Sequence, residues 1–238
     1  MNIAYFDCFS GIAGDMVLGA LIDLGCDVKV FNTELEKLGI SGYNIDVKKI
    51  IKNDVSATDV SVNVEKDQPY RTFSDITQMI DVSDLDDSIK NKSYQIFLRL
   101  AEAEGKVHNV PMEKVHFHEV GAVDSIIDII GSVICLDLLE IDEVHASALP
   151  LGSGFVDCQH GRISVPAPAT VELVKDIPTY ELDSGHELVT PTGAAILTTI
   201  VEGFGKKPDF VNDRIGYGSG KIESNLPGVL RVVFGYRN

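Results

Sequence analysis

A chain of 238 residues with 45% apolar and 24% charged residues can bury a core, and its formal charge of −16 works against binding nucleic acid or an anionic membrane. No apolar stretch approaches the roughly 20 residues that span a bilayer, and the opening MNIAYFDCF lacks the basic and apolar regions of a secretion signal. The four cysteines show no CxxC spacing, so reduced thiols in a cytoplasmic protein are expected.

Residues 2–9 read as a buried strand, followed by the tight SGIAGD connection and an apolar helix from Ala13 to Leu24. Asp7 falls at the carboxyl end of that strand, where open α/β sheets place ligands, and Asp15 falls in the first turn of the helix, where it also suits the dipole. Gly11 and Gly14 allow backbone amides to approach an anion, although this spacing alone is a weak phosphate signal. Residues 30–39 form a short amphipathic helix. YNIDVKKIIK and ATDVSVNVE then alternate apolar and polar residues with period two, giving a hairpin across Asn53 to Ser56. After a loop from Gln68 to Thr72, helices are expected at Phe73 to Ile80 and Ser83 to Glu104, the second with acids leading and bases trailing. His108 reads as a surface histidine.

The most demanding stretch is HFHEVGAVDSIIDIIG, residues 116–131. As a helix from Glu119 to Glu140 it is apolar almost all round and therefore buried. At about 100° per residue, Gly121, Asp124, Ser125, Asp128, Gly131, Ser132 and Cys135 share one arc, a small and acidic stripe. A dry, unpaired carboxylate costs several kcal/mol, so Asp124 and Asp128 must face a cation, a base, a helix end or a wet cleft. Arginine pairing or backbone capping would explain either aspartate alone. His116, His118 and Glu119 immediately upstream point instead to a metal and acid–base site. The stripe is expected to wall a cleft whose other side comes from Asp7 to Asp15 and Cys158 to Arg162.

Asp142 to Leu151 reads as a strand with LGSG as its exit. In DCQHGRISVPAPAT, Cys158 and His160 at i, i+2 can offer one soft and one borderline ligand to zinc, nickel or copper. A buried thiol beside a hydrogen-bonded histidine explains the pair equally well. Arg162 is a counter-ion for an acid or a phosphate, and the next helix runs from Ala169 to Lys175. TYELD is a strand. Thr190 can cap a helix with Pro191 at its first position, and the free amides near Thr190 and Thr192 can also hold an anion. GYGSGK, residues 216–221, reads as a glycine-rich loop ending in Lys221, able to nest a phosphate without being a P-loop, before the terminal strand LRVVFGY. The fold class is α/β, with mixed α+β the alternative: a central sheet with flanking helices and an inserted β-hairpin plus helices. One domain over residues 1–238 is expected, with 40–110 as the insertion, and so is a homo-oligomer.

FDCFSGIAGDM, HFHEVGAVDSIIDIIG, HGRISVPAPAT and LVTPTGAAI, in this order and spacing, resemble the LarC family of nickel insertion proteins over residues 3 to about 236. The resemblance implies a nickel insertase of the lyase class. Its reaction places Ni²⁺ into pyridinium-3,5-bisthiocarboxylic acid mononucleotide, forming a nickel–carbon bond flanked by two sulfurs, the nickel-pincer cofactor of lactate racemase. It further implies consumption of CTP with Mn²⁺ or Mg²⁺, through a C-terminal nucleotide-binding region or chain beyond the matched part. The histidine-rich segment common in the family has no counterpart at Gln68 to Phe73. On this reading the metal ligands are drawn from His116, His118, Asp128, Cys158 and His160. Glu119, Asp124 and Asp15 are the candidate acid–base groups, and Arg162, Thr190, Thr192 and Lys221 hold the substrate. Two rivals are a metal-dependent phosphohydrolase built on Asp7, Asp15, His116, His118 and Asp128, and a non-enzymatic nickel-binding scaffold serving a partner chain.

Titration of Ni²⁺ into the wild type and a His116→Ala/His118→Ala variant is expected to show at least a tenfold loss of affinity in the variant, roughly the cost of removing imidazole ligands. Equal affinities would remove both histidines from the ligand set.

Overall fold

The computed structural model describes residues 1–65, 71–115, 117, 122–158, 161–223 and 225–237, with Cys158 through its backbone only. In chain order the elements are β1 (Asn2–Asp7), α1 (Gly14–Asp23), α2 (Val28–Glu36), β2 (Tyr43–Lys52), β3 (Val55–Val64), α3 (Phe73–Val82), α4 (Asp87–His108) and α5 (Val123–Leu138). They continue as β4 (Glu143–Ala146), β5 (Leu149–Leu151), β6 (Phe155–Cys158), β7 (Gly161–Ser164), α6 (Pro168–Leu173), β8 (Thr179–Glu181), α7 (Pro191–Ile200), β9 (Gly203–Phe204), β10 (Val211–Ser219) and β11 (Val229–Tyr236).

The fold is mixed α/β, as the sequence pattern indicated. Seven strands form one sheet in the order β2-β3-β10-β11-β1-β4-β9. β1 pairs antiparallel with β11 and parallel with β4, so the N-terminal strand sits inside the sheet and is buried along its centre. The hairpin turns at Asn53 and Asp54, both at positive φ, the backbone of a tight two-residue connection. It widens the central sheet, because β3 lies parallel to β10 at Thr58 and Gly218.

Three expectations need correction. The continuous strand expected over Asp142 to Leu151 is divided: β4 belongs to the large sheet, whereas β5 pairs with β8. The break falls at Ser147, whose Oγ accepts the Cys8 N–H at 2.9 Å. The central helix starts at Val123 rather than Glu119, with Ala122 as its N-cap residue. Residues 216–219 are not a loop, since GYGS is the end of β10. Its glycines serve packing: a methyl on Gly216 would collide with the Ala20 carbonyl oxygen, and one on Gly218 with that of Met16. α1 is thereby pressed flat on the sheet, and Gly19 on the helix meets the Thr58 carbonyl in the same way.

α5 packs over α1. Gly131 receives Phe31 of α2 and Leu18 of α1 at 3.1–3.3 Å from where a Cβ would stand, and Ser132 and Cys135 are fully buried. The small stripe therefore has two uses: its second half is a packing seam, and its first half, Asp124 and Asp128, faces the site. No helix among the described residues is long and apolar enough to cross a membrane.

Gly218→Ala forces backbone against backbone and is expected to lower unfolding stability by about 1–3 kcal/mol in urea melts, as overpacking does. An unchanged midpoint would mean that α1 does not lie in contact with β10.

Candidate functional site

The site forms where two connecting segments run side by side. The Ile12 N–H donates to the Leu188 carbonyl at 2.7 Å, and the Thr190 N–H donates to the Ile12 carbonyl at 3.1 Å. Gly11, at φ +103°, lies against the Leu188 backbone, and Gly193 leaves room for the Ile12 carbonyl, 2.6 Å from where its Cβ would stand. The starts of α1 and α7 are thus fixed together. Thr190 caps α7 by accepting the Gly193 N–H at 3.1 Å, with Pro191 in the first turn, as its sequence implied.

α5 completes the junction. The Asp128 carboxylate and the Thr192 methyl both approach Gly14, at 2.7 and 2.8 Å from where a Cβ would stand, so only glycine at this position lets the three helices meet. Asp15 is the next residue, and its Oδ1 accepts the Met16 N–H at 2.8 Å. Both carboxylates are half-buried. Burial pushes Asp15 up to about 6, with repulsion from Asp59 adding to it and attraction from Lys221 and Lys52 opposing it. Burial likewise holds Asp128 well above the usual carboxylate range, reinforced by the charges of Asp15 and Asp124. Lys221 offsets only part of this because its ammonium is committed elsewhere. It donates to Asp59 at 2.6 Å, to the Val60 carbonyl at 2.8 Å and to Ser61 Oγ at 2.8 Å.

A cavity of about 240 Å³ opens beside Asp15. Ser10, Thr190, Lys221, His186 and Glu187 supply its polar wall, and Met16, Leu188 and Ile222 supply apolar surface. The loop carrying Lys221 is tied down by Lys52, which donates to the Gly220 and Ile222 carbonyls, and by Ser10, whose Oγ accepts the Gly228 N–H at 2.8 Å.

Of the candidate residues from the sequence, the structure groups Asp15, Asp124, Asp128, Thr190, Thr192 and Lys221. Asp124 is exposed and accepts the Ser125 N–H at 2.8 Å in the first turn of α5. Thr192 is buried against α1. Arg162 lies in the β6–β7 hairpin, its guanidinium 4.7 Å from the Phe155 ring centre. Asp7 accepts from Arg231 Nε at 3.1 Å across β1 and β11, an ion pair that accounts for its position without a ligand. His116, His118, Glu119 and His160, and the side chain of Cys158, lie outside the described residues. Among the described residues no group of three His, Cys, Asp or Glu side chains is close enough to hold a metal ion. His186 and Glu187 escaped the sequence reading, since they sit in a polar loop without periodicity. Their one signal was position, immediately before the Leu188 to Thr190 segment that starts α7.

A half-buried carboxyl raised to about 6 at the wall of a small cavity, with a second raised carboxyl beside it, can chemically take up and release a proton near neutral pH. The chain belongs to the nickel insertion protein family, whose model matches residues 4–238. Relatives named as nickel insertion proteins in Dictyoglomus thermophilum and Geobacter sp. strain M21 are each 50% identical over 99% and 100% of the chain, covering 61% and 62% of their own length. A relative in Acetivibrio thermocellus, 45% identical over 99% of the chain and 60% of its own length, is named a pyridinium-3,5-bisthiocarboxylic acid mononucleotide nickel insertion protein. The chain therefore spans about three fifths of these relatives. No solved structure matches it.

The raised carboxyl has a stability consequence of definite sign. In the unfolded chain Asp15 titrates near its ordinary value of 3.8 and in the fold near 6, so the fold binds this proton more tightly and loses stability as pH rises through that window. Asp15→Asn, which keeps an acceptor for the Met16 N–H, is expected to stabilise the protein at pH 7.5, on the order of 1 kcal/mol after discounting for solvent at the carboxylate, and to match wild type near pH 4. Denaturant midpoints at the two pH values decide it; a destabilised variant at pH 7.5 would mean that Asp15 is favourably paired as an anion.

Proposed function

We propose that this chain performs the metal-handling and proton-accepting part of nickel insertion into pyridinium-3,5-bisthiocarboxylic acid mononucleotide, giving the nickel-pincer nucleotide. The observation that carries this reading is Asp15, a carboxyl pushed up to about 6 at the edge of a cavity and backed by Asp128. Forming the nickel–carbon bond requires the ring C–H bond to break. Its electron pair goes to the metal and its proton to a base. A group titrating near neutrality is ionised enough to accept that proton and basic enough to hold it. Asp15 is the base on this reading, and burial, with repulsion from Asp59, keeps its affinity for the proton high.

Nickel is substrate here, delivered by His116 and His118 with Cys158, His160 or Asp128. Thr190 and Lys221, on the polar wall of the cavity, meet the acidic groups of the nucleotide, with Arg162 and Thr192 as the further contacts named from sequence. Glu119 and Asp124 are secondary proton acceptors. The matched chain forms one mixed α/β domain with residues 40–110 inserted. Turnover as a lyase-class insertase with CTP and Mn²⁺ or Mg²⁺ requires the nucleotide-binding region as well. The reaction is assigned to the cytoplasm, where thiols stay reduced.

Incubation with the pyridinium mononucleotide, Ni²⁺ and MgCTP, with and without that second region, followed by mass analysis, tests the reading. The metallated nucleotide is expected only in the complete mixture, and Asp15→Asn is expected to lower its rate by about 10²–10⁴-fold, the range for removal of a general base. An undiminished rate in Asp15→Asn would sink the assigned base. Phosphate release from generic esters without nickel would replace the whole reading with a phosphohydrolase.

A further inference from the structure

Beyond the residues assigned so far, we infer that Ile222 is a specificity-determining residue for the pyridinium ring, an apolar platform on which the ring rests with its C–H edge toward Asp15. This rests on the proposed reading of the site and deepens it, because the substrate contacts named from sequence are all polar. The cavity beside Asp15 has an apolar wall of Met16, Leu188 and Ile222. Met16 and Leu188 are almost fully buried, at 5% and 6% exposure, whereas Ile222 is 47% exposed. Ile222 therefore offers the apolar surface of this wall that a ligand can still cover. An isoleucine scattered alone on an outer surface needs no explanation; one that lines a cavity beside a carboxyl group does.

The loop that carries Ile222 is anchored. Lys52, at the end of β2, is only 7% exposed in its side chain, and its ammonium donates to the Gly220 carbonyl and, at 3.0 Å, to the Ile222 carbonyl. The nearby Glu223 carboxylate stands 3.9 Å away and is itself exposed. Burying an ammonium is costly unless it is hydrogen-bonded, and here those bonds fix the Ile222 backbone directly. The Gly220 N–H donates to the Gly228 carbonyl at 3.0 Å, which closes the loop, and Asn53 Nδ2 donates to the Leu226 carbonyl at 2.8 Å. The loop also lies against α1, since a Cβ on Gly220 would stand 3.0 Å from Met16 Sδ. Met16 follows Asp15 in the first turn of that helix, so the apolar wall and the base share one stretch of backbone. An apolar cavity of about 150 Å³ takes a benzene ring. The cavity of about 240 Å³ therefore admits a six-membered ring with room for substituents. A ring C–H bond lies in the ring plane, so a side chain that fixes the face also fixes the direction in which the proton leaves.

Calorimetric titration without nickel tests the contact, with pyridinium-3,5-bisthiocarboxylic acid mononucleotide and ribose 5-phosphate as ligands and wild type, Ile222→Ala and Ile222→Leu as proteins. Ile222→Ala is expected to bind the mononucleotide about tenfold more weakly, the fold-change for roughly two uncovered methylene groups. Ile222→Leu, which conserves volume, is expected within about threefold of wild type. Ribose 5-phosphate lacks the ring and is expected to bind all three equally, and urea midpoints are expected to coincide because the side chain is half-exposed in the free protein. Equal mononucleotide affinity in wild type and Ile222→Ala overturns this inference and leaves the proposed reading intact. A parallel loss for ribose 5-phosphate also overturns it, since a disturbed loop rather than a lost ring contact would then be responsible. Where ribose 5-phosphate binds too weakly to measure, the mononucleotide affinities together with the urea midpoints decide. Failure of wild type to bind the mononucleotide, with or without the second region, overturns the proposed reading and the ring platform with it.

Discussion

The geometry of the site depends on two backbone hydrogen bonds between segments far apart in sequence, Ile12 to Leu188 and Thr190 to Ile12. They hold the approaches to α1 and α7 in parallel, and glycines at 11, 14 and 193 remove the side chains that would keep the backbones apart. α5 enters the same junction through Asp128 in its second turn, beside the starts of α1 and α7. The positive ends of α1 and α5 favour acids, and Asp15 and Asp124 occupy their first turns accordingly. Asp128 is one turn further in, beyond the reach of free amides. Burial, with repulsion from Asp59 at Asp15 and from Asp15 and Asp124 at Asp128, outweighs the helix fields, which is why both Asp15 and Asp128 titrate high rather than low.

This balance leaves the fold carrying an electrostatic cost at neutral pH that a simpler capped junction would avoid. Lys221 is near enough to lower both carboxyls, yet its three hydrogens go to Asp59, Val60 and Ser61, so it acts at a distance rather than as a partner. A direct ion pair would have returned Asp15 to the ordinary range and removed the basicity on which the proposed role rests. Strain of this kind is the expected companion of an acid–base site, since a group tuned toward neutrality is by definition poorly solvated as an anion.

Much of this architecture was legible in the residues. Strand, glycine turn and helix at residues 2–24, the period-two hairpin and the Thr190–Pro191 helix start all rest on local chemistry that tertiary contacts did not override. GYGSGK misled because glycine has two uses with the same appearance in sequence: freedom in a loop, and closeness in a strand under a helix. Only the position of α1 distinguishes them. His186 escaped for a different reason, since it lines a cavity assembled by segments remote from one another in sequence. The acidic stripe was read correctly as a stripe, but nothing in its spacing says that Gly131 to Cys135 would be consumed by packing and only Asp124 and Asp128 left to the site.

The thiols narrow what chemistry this protein can bring to nickel. Burial holds Cys8 and Cys135 protonated, whereas the hydrogen bond with Cys135 lowers the buried Cys26 thiol below its ordinary value. Neither Cys8 nor Cys135 is disposed to act as a thiolate ligand, and Cys26 is buried in the packing against Cys135. On the proposed reading this is an advantage. The pyridinium substrate brings its own two sulfurs, which bind nickel as soft donors, whereas imidazoles and carboxylates hold it more weakly. A protein that offered several thiolates would compete with its own product for the metal. One that presents nitrogen and oxygen donors at the edge of a cavity, next to the base that removes the ring proton, lets the metal move downhill from protein to nucleotide as the carbon bond forms.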